Sequence, residues 1–389
     1  MKKIGILTYH FALNCGAVLQ CLALKSFIEK NTDNTIVEVI NYQPKYHTNI
    51  YRPIINPFPP AYAFVKSLPD SRLMYKIYRF SRNVCASIIK SKNPVNRYRR
   101  RREFSKYITK HLELSHLCRT EDELRVYCND YDLYITGSDQ IWNSKVTNYS
   151  IDLQYFLKFI CDKNNNTRIS YAASSALNKS EINEVLPYLE KYNRISVREK
   201  KAYQELKSAG LENVRVDVDP TLLLCKEDYE KYESAINTPY DRYILFYGLP
   251  TDNRGELIDV LSRLKKATNL PIIDISPERV LKKADMYISV VNPGNFLSLI
   301  KNSTFVVTNS FHCSVFSILY TREFWCVLPR LHNERLTQLM SSLNLDDRIV
   351  TGDSRDFDKN IDWSSVNQKL SVLSGNSKKF LVSTIQGEL

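Results

Sequence analysis

Hydrophobic and polar positions along the chain follow two alternating patterns, which predict buried parallel strands joined by helices. Short apolar runs are typical of strands that are covered on both faces, and apolar residues at helical spacing follow them. The chain begins with a predicted strand over 4–8, a helix over 17–30 and a strand over 36–42. This order predicts a βαβ unit.

The same alternation returns twice after an irregular, Pro- and Tyr-rich stretch. In the middle of the chain the pattern predicts strands over 131–136, 168–172 and 195–197 and helices from about 180 and over 200–209. A polar stretch over 226–242, ending in Asn237-Thr238-Pro239, predicts a domain boundary. Beyond it the pattern predicts strands over 243–247, 272–275, 304–308 and 324–328 and helices over 257–267, 296–300 and 311–320.

Two such series predict an α/β protein with two Rossmann-like lobes that face a cleft. A chain of 389 residues is long for one core and comfortable for two. We expect a first lobe over 1–235, a second over 240–360, and a C-terminal helix or tail over 361–389 that packs back on the first lobe. Ligands of such sheets bind at the carboxyl ends of the strands.

The first group of polar residues follows the first predicted strand. Its candidate binding residues are Tyr9, His10, Asn14, Gly16 and Gln20. Gly16 would let the backbone approach a ligand at a helix N-terminus, where amide groups attract anions. A tight strand-to-helix turn without a ligand fits the same residues equally well.

The second group is the sequence TGSDQIWN at 136–143, directly after an apolar run. Sugar sites favour this mixture, because carboxylates and amides bind hydroxyl groups while an aromatic face covers the ring. A turn without a ligand would more often use Gly, Pro or Ser and no Trp. The candidate residues are Gly137, Ser138, Asp139, Gln140, Trp142 and Asn143.

The third group is Arg198-Glu199 at a strand-to-helix junction. The planar guanidinium of Arg198 can hold a carboxylate or a phosphate through two hydrogen bonds. A salt bridge between Arg198 and Glu199 or Asp217 that only organises the lobe is the alternative.

The fourth group is Asn309, Ser310 and His312, where an apolar strand ends in a polar turn. Ser310 is suited to N-cap the following helix, which places His312 near the positive end of the helix dipole. A single histidine is more often structural, but this one stands where α/β sheets present ligand-binding groups.

Other classes of site lack their signatures in this sequence. It contains no Walker loop, GxGxxG fingerprint, nucleophile elbow or spaced set of metal ligands. Its nine cysteines show no CxxC spacing, so neither a disulfide framework nor a zinc site is predicted, and a reducing cytoplasm is expected. No apolar segment approaches the length of a membrane span.

The net charge of +12 comes from one segment. Between Arg72 and Lys110, thirteen residues are Lys or Arg and Glu103 is the one acid, while the rest of the chain is balanced. We call 72–110 the basic arm. On a helical wheel its first part separates an apolar face (Leu73, Ile77, Phe80, Val84, Ile88) from a basic one (Arg72, Lys76, Arg79, Arg82, Lys90).

Together the motifs resemble the polysaccharide pyruvyl transferase family. The similarity spans most of the chain outside the basic arm and lies in 14–20, 137–143, 196–199, 219–223 and 308–312. It implies a GT-B-like fold, phosphoenolpyruvate as donor, and a pyruvate ketal on a hexose of a surface polysaccharide as product. Family members often have Asp and Gly where this chain has Asn309 and Cys313, and some have Arg in place of Ser310.

The resemblance also implies roles for the candidate residues. His312 would act as the general acid, Arg198 would hold the anionic donor, and Asp139 would act as the base for the acceptor or orient its hydroxyl. The other candidates would bind substrate. We expect the acceptor on the first lobe and the donor on the second, and the scheme requires no metal or redox cofactor. The sugar, the ketal stereochemistry, the oligomeric state and whether the acceptor is free or linked to a polyprenyl lipid stay open.

Two alternative functions remain at this point, and the role of the basic arm has one alternative of its own. A GT-B glycosyltransferase with a nucleotide-sugar donor would share the lobes and the cleft. A nucleic-acid-binding protein would use Arg97–Arg102 of the basic arm, but that leaves the strand-end loops unexplained, and we expect no nucleic-acid partner. We expect instead that the basic arm docks the enzyme on the cytoplasmic, anionic face of a membrane. A helix packed on the first lobe with a solvated basic face is the simpler alternative.

Overall fold

Two separate parallel sheets organise the chain. The protein is described by a computed structural model, which covers residues 1–48, 94–147, 150–161, 166–249, 254–277, 281, 284–329, 333–350 and 360–387. The amphipathic pattern predicted over 72–90 lies outside the described residues.

The first sheet is built from the N-terminal half. Its strands are β1 (Lys2–Leu7), β2 (Thr35–Val39), β3 (Leu133–Thr136) and β4 (Thr167–Ser170), in the order β2-β1-β3-β4. The parallel pair β5 (Ile195–Val197) and β6 (Val214–Val216) continues it beyond β4 through single bridges, while the segment after residue 112 bridges the β2 edge. The strand order therefore reverses between β1 and β3.

The second sheet has the same plan. Its strands are β7 (Ile244–Tyr247), β8 (Ile272–Asp274), β9 (Met286–Tyr287), β10 (Phe305–Thr308) and β11 (Glu323–Cys326). They lie in the order β11-β10-β7-β8-β9, all parallel, so this order reverses between β7 and β10. Two doubly wound α/β sheets confirm the predicted fold class.

Helices connect the strands of both sheets. They are α1 (Cys15–Asn31), α2 (Lys45–Thr48), α3 (Pro94–His111), α4 (Glu121–Leu124), α5 (Lys179–Leu189), α6 (Lys200–Ser208), α7 (Lys226–Tyr229), α8 (Arg254–Thr268), α9 (Pro293–Lys301), α10 (Phe311–Leu319), α11 (Glu334–Leu343) and α12 (Trp363–Gln386). Short 3₁₀ turns lie at Arg125–Tyr127, Leu153–Phe156, Pro220–Leu222, Glu230–Tyr232 and Asp346–Arg348.

The predicted strands and helices agree with these bounds to within three residues. The sequence pattern did not predict β6, β9 or α11. The two strands are only three and two residues long, too short to show a period. Helix α11 does carry apolar residues at helical spacing, Leu336, Leu339, Met340 and Leu343, so its signal was present in the sequence.

Helix α1 joins the two halves of the molecule. All its residues from Cys15 to Ile28 are buried, because it packs against the first sheet on one side and against α9 and the turn Pro220–Leu222 on the other. Buried apolar side chains form one continuous cluster from β1 and α1 to α9 and α10. The two halves therefore share a core at this point.

Two other helices fasten the halves together. Arg100 of α3 donates to the carbonyl oxygens of Leu13 at 3.0 Å and Pro277 at 3.3 Å, one in each half. In α12, Ser377 Oγ donates to Asp217 at 2.8 Å, and the ring of Phe380 lies 3.9 Å from the guanidinium of Arg215. Helix α12 thus packs on the first half of the chain, next to β6, and it also contacts α11 of the second half.

The shared core leads to a prediction about the stability of a variant at Phe316. Phe316 of α10 is fully buried, 5.0 Å from the ring of Tyr229 and 6.1 Å from that of Phe296. We expect Phe316→Ala to lower the free energy of unfolding by about 3–5 kcal/mol, because it leaves a cavity where the halves meet. Urea denaturation measures this. Val372→Ala, on an exposed face of α12, is the control, and a loss below about 1 kcal/mol for Phe316→Ala would contradict the shared core.

Candidate active site

Polar loops at the reversal points of the two sheets lie together in one region. At such a point neighbouring strands lead away in opposite directions and leave a crevice outside their carboxyl ends. In the first sheet, 8–16 follows β1 and 137–143 follows β3. In the second sheet, 309–312 follows β10. The candidate site is the region where these loops meet the segments that follow β5 and β6.

The ring of His312 lies where the two halves touch. Ser310 N-caps α10 by accepting from the amide of Cys313 at 3.4 Å, which places His312 in the first turn with 8% exposure. The ring packs on Gly16 at the start of α1, so closely that a Cβ there would lie 2.1 Å from Nδ1. Position 16 is therefore a glycine because the histidine occupies the space of a side chain.

A buried carboxylate, that of Asp219, connects the groups around His312. Its Oδ2 accepts from Arg198 Nη1, lies 3.5 Å from Ser138 Oγ, and lies 3.7 Å from His312 Nε2. Burial alone would raise the pKa of Asp219, but Arg198, His312 and Thr221 hold it well below its usual range. The carboxylate is thus ionised at any pH at which the protein works.

Arg198 is buried and only partly paired. Its Nη1 is bound to Asp219 and its Nε lies 3.7 Å from Glu199 Oε1, whereas Nη2 finds no hydrogen-bond partner among the described residues. Burial lowers the pKa of Arg198, but the carboxylates of Asp219 and Glu199 outweigh it and raise the pKa. The guanidinium is therefore charged and retains donor capacity for a ligand.

A second arginine faces the same place from the other half. Arg335 of α11 lies over the ring of Phe311 at 5.9 Å, and Arg198 lies over it at 5.1 Å. The Nε atom of Arg335 is 3.9 Å from Glu199 Oε1. Burial and the neighbouring Arg198 lower the pKa of Arg335. Arg198, Arg335 and Phe311 line a cavity of about 220 Å³ together with residues of α11 and α12, and the other charged residues of its lining are Arg215, Asp217 and Asp219. Two guanidinium groups beside a cavity favour an anionic ligand.

Gln20 ties the two loops of the first sheet together. Its Nε2 donates to Thr8 Oγ1 at 3.0 Å and its Oε1 accepts from the amide of Ser138 at 3.2 Å. Thr8 in turn donates to the carbonyl of Ser138 at 3.0 Å. All three side chains are fully buried. Gln20 therefore holds the two loops in place, and both polar atoms of its side-chain amide are bound to protein groups.

The loop after β3 turns sharply at two residues. Gly137 has φ +113°, and a Cβ there would lie 2.5 Å from the carbonyl oxygen of Tyr171. Asp139 is itself left-handed at φ 62° and half-buried, and its Oδ1 accepts from the amide of Gln140 at 2.9 Å. Its carboxylate contributes to the raised pKa of Arg198, so it lies within electrostatic reach of the guanidinium.

Trp142 belongs to the core in this structure. It is fully buried, stacks on Phe156 at 5.2 Å, and donates its indole N–H to the carbonyl of Tyr155 at 3.1 Å. Its ring faces are occupied by protein, which differs from the predicted cover over a sugar ring. Asn143, 4% exposed, supports the same turn, with Oδ1 accepting from the amide of Lys145 at 3.1 Å. The sequence placed this loop directly after a strand but could not show which way the indole faces.

Two residues after β1 are also directed inward. His10 is fully buried between Asn41 Oδ1 at 3.0 Å and the carbonyl of Thr8 at 3.2 Å, and burial lowers its pKa. Tyr9 is 2% exposed and packs edge-on against Tyr155 at 5.0 Å. Both side chains are enclosed by protein in this structure and hold the loop after β1.

The remaining predicted residues make local hydrogen bonds that hold turns and strand ends in place. Asn14 N-caps α1, its side chain accepting from the amides of Gly16 and Ala17. Asn309 binds both backbone groups of Leu249, at 2.7 Å and 3.0 Å, and so joins the ends of β10 and β7. Glu199 accepts from Ser174 Oγ at 2.5 Å.

Three residues of this cluster were not among the predicted site residues. Asp219 and Phe311 stand inside motifs that carry the family resemblance, so a search for buried charge beside Arg198 would have found Asp219. Arg335 lies in a helix without a motif, and nothing in the sequence connects it to Arg198. No group of His, Cys, Asp and Glu side chains arranged to hold a metal occurs among the residues that the structure describes.

The profile of a family described as polysaccharide pyruvyl transferase matches residues 14–329. The chain belongs to the polysaccharide pyruvyl transferase family. The match begins at Asn14 and ends before α11, so it includes the five motifs and leaves Arg335 outside. Among curated proteins, no sequence matches the chain at a significant level.

The fold of this pyruvyl transferase family member is shared with solved structures of GT-B type. The UDP-GlcNAc 2-epimerase of Methanocaldococcus jannaschii has a TM-score of 0.50 and 12% identity, with 99% of each chain covered. The MnaA–UDP structure from S. aureus has a TM-score of 0.49 and 13% identity, covering 99% of this chain and 96% of that one. At these identities the likeness shows the fold alone.

The contact between Gly16 and His312 can be tested directly. Gly16→Ala should lower the free energy of unfolding by about 1–3 kcal/mol, because the new methyl group must displace the imidazole or the start of α1. Gly375→Ala is the matched control, since nothing lies within 4 Å of its added Cβ and helix α12 should gain slightly. Chemical denaturation of both variants checks this, and equal stability of Gly16→Ala and wild type would contradict the packing.

Proposed function

We propose that this enzyme transfers the enolpyruvyl-derived group of phosphoenolpyruvate to a hexose of a surface polysaccharide or its precursor, forming a pyruvate ketal. The observation that carries the proposal is one cavity lined by Arg335 and by the buried, charged Arg198, whose Nη2 has no hydrogen-bond partner among the described residues, with His312 beside the Arg198–Asp219 pair. Family membership supports the reaction class, and this cluster supports an anionic donor.

The reaction requires three kinds of group. Protonation of the methylene carbon of phosphoenolpyruvate makes its central carbon electrophilic, and a sugar hydroxyl attacks that carbon. The carbon–oxygen bond to phosphate then breaks, phosphate leaves, and a second hydroxyl of the sugar attacks the same carbon to close the ketal. The site must therefore supply a proton donor, cations for the carboxylate and phosphate, and a proton acceptor near the sugar.

The arginines suit the donor. Phosphoenolpyruvate carries a carboxylate and a phosphate, and each can accept two hydrogen bonds from one guanidinium plane. Arg198 comes from the first half and Arg335 from the second, so a donor with two anionic ends would bridge the halves. Phe311, between them, offers an apolar surface to the methylene group.

His312 and Asp139 suit the proton transfers. His312 Nε2 is buried beside Asp219 without a hydrogen bond of its own among the described residues, so it can deliver a proton to the methylene carbon. Asp139 is half-buried on the loop after β3, within electrostatic reach of Arg198, and can accept the proton of the attacking hydroxyl. The phosphate leaves with the electron pair of the broken bond and takes up the proton of the second hydroxyl as the ketal closes.

The role of His312 predicts a specific loss of activity. His312→Gln keeps a polar side chain of similar size but removes the acid, so kcat should fall by about 10²–10⁴ while the protein stays folded. Phosphate release from phosphoenolpyruvate in the presence of candidate glycans, with the product mass, measures this. A His312→Gln variant with near-normal turnover would remove the residue from the mechanism.

The role of the arginines predicts a loss of donor binding instead. Arg198→Ala and Arg335→Ala should each raise KM for phosphoenolpyruvate by about tenfold or more, since a charged hydrogen bond is lost in both. Arg125→Ala, on an exposed 3₁₀ turn far along the chain from both, is the control. Turnover of a nucleotide sugar, with none of phosphoenolpyruvate, would instead identify a glycosyltransferase.

The second part of the proposal concerns α3, the described part of the basic arm, which we propose docks on an anionic membrane. The helix carries seven Lys or Arg residues and one acid, Glu103, which pairs with Lys106 at 2.8 Å. Its inner face is buried through Phe104, Tyr107 and Ile108. Its outer face presents arginines together with Tyr98, which is 59% exposed.

Charge complementarity supports a lipid partner. Each basic residue near an anionic leaflet contributes about 1 kcal/mol, and an exposed aromatic ring is suited to the interface. Such docking would bring the site close to a lipid-linked glycan. Within the described parts of the chain, no helix has both the length and the apolar composition needed to cross a bilayer.

Membrane docking is tested by co-sedimentation with vesicles. Wild type should bind vesicles that contain phosphatidylserine, not pure phosphatidylcholine, and should be released by salt because the attraction is screened. Replacing Arg99, Arg101 and Arg102 with Gln should abolish most of the binding.

The control variant replaces three exposed lysines elsewhere with Gln, namely Lys179, Lys226 and Lys379. Equal binding of both triple variants would contradict docking through α3. Retention of RNA by wild type, lost in the arginine variant, would favour a nucleic-acid partner instead.

A further inference from the structure

The carboxylate of Asp219 has two oxygens with separate tasks. Oδ1 accepts from the amide of Thr221 at 3.0 Å and from Thr221 Oγ1 at 2.6 Å, so it fixes the carboxylate to its own turn. Oδ2 faces away from that turn, toward Ser138, Arg198 and His312. The side chain is held by one oxygen and presents the other.

The three groups around Oδ2 come from three separate segments. Ser138 follows β3, Arg198 follows β5, and His312 lies in the first turn of α10 in the other half of the molecule. The side chain of Asp219 is fully buried, so this oxygen cannot be satisfied by bulk water. One atom therefore sets the relative position of an arginine and a histidine that belong to different sheets.

We propose that Asp219 is a positioning residue of the donor site, which aims Arg198 and His312 at the same ligand. This inference rests on the proposed function. Arg198 gives only Nη1 to Asp219, and within the described parts of the chain Nη2 has no partner, so it can bind an anion. The contact of Asp219 with His312, at 3.7 Å, is electrostatic and consumes no hydrogen bond of the ring.

An amide at position 219 would fail in this task. Asn has one acceptor oxygen, and either that oxygen stays with Thr221 and an NH₂ group faces Arg198, or the turn loses its cap. Both arrangements remove the carboxylate that binds Arg198 Nη1 and leave Glu199, 3.7 Å from Nε, as the nearer charged partner, so the guanidinium can reorient.

Asp217 provides a matched control in the same loop. Its side chain is equally buried and is also paired with an arginine, Arg215, at 2.8 Å, but its other partners are Ser196 and Ser377. Asp217→Asn and Asp219→Asn therefore remove the same charge from similar surroundings. Only the second removes a contact with Arg198 and His312.

The experiment compares these variants for donor kinetics and for direct binding of anions. For Asp219→Asn we expect KM for phosphoenolpyruvate to rise and kcat per folded molecule to fall, each by about tenfold. Asp217 lines the same cavity, so Asp217→Asn removes a negative charge near the bound anion; it should lower the melting temperature but should not raise KM. In an Arg198→Ala background, Asp219→Asn should raise KM no further, because it acts on KM through Arg198.

Each outcome decides a different statement. If Asp219→Asn changes KM and kcat by less than twofold, or changes them no more than Asp217→Asn does, the positioning role is wrong. If wild type does not turn over phosphoenolpyruvate, the proposed function is wrong. The positioning role is then decided by binding of inorganic phosphate in calorimetry, where weaker binding by Asp219→Asn supports it and equal binding overturns it.

Discussion

The architecture of the candidate site depends on one buried negative charge, the carboxylate of Asp219. A carboxylate removed from water is costly unless hydrogen bonds and a cation replace its hydration. Here Thr221 and Arg198 supply those bonds, Ser138 Oγ lies 3.5 Å away, and His312 approaches from the other half of the molecule. Satisfying this charge brings together the ends of three segments that are far apart in sequence.

The glycine at position 16 works with this charge. A carboxylate can attract a histidine only if the ring can come near, and the missing Cβ of Gly16 leaves the space that the ring fills. The first turn of α1 therefore packs directly on the first turn of α10. Attraction and close packing act on the same imidazole, and together they hold the two halves in register around the cavity.

The sequence predicted the sheets well because buried parallel strands are apolar on both faces, as the fully buried runs Ile244–Tyr247 and Leu133–Thr136 are. It located the loops at the strand ends for the same reason. It did not predict which loop side chains turn inward: Trp142 lies in the core because Phe156 and a carbonyl group are there to receive it. Arg335 could not be assigned either, since its approach to Phe311 depends on how the halves pack.

The position of α12 has a consequence for how the protein is made. Asp217, at the end of β6, receives its hydrogen bond from Ser377, 160 residues later in the chain, and the Lys2 ammonium is bound by the carbonyl of Ile385. The N-terminal half therefore leaves the ribosome before the helix that covers it has been synthesised. Until then its edge beside β6 is exposed to water and to other nascent chains, and a chaperone that shields this edge would raise the yield of folded enzyme.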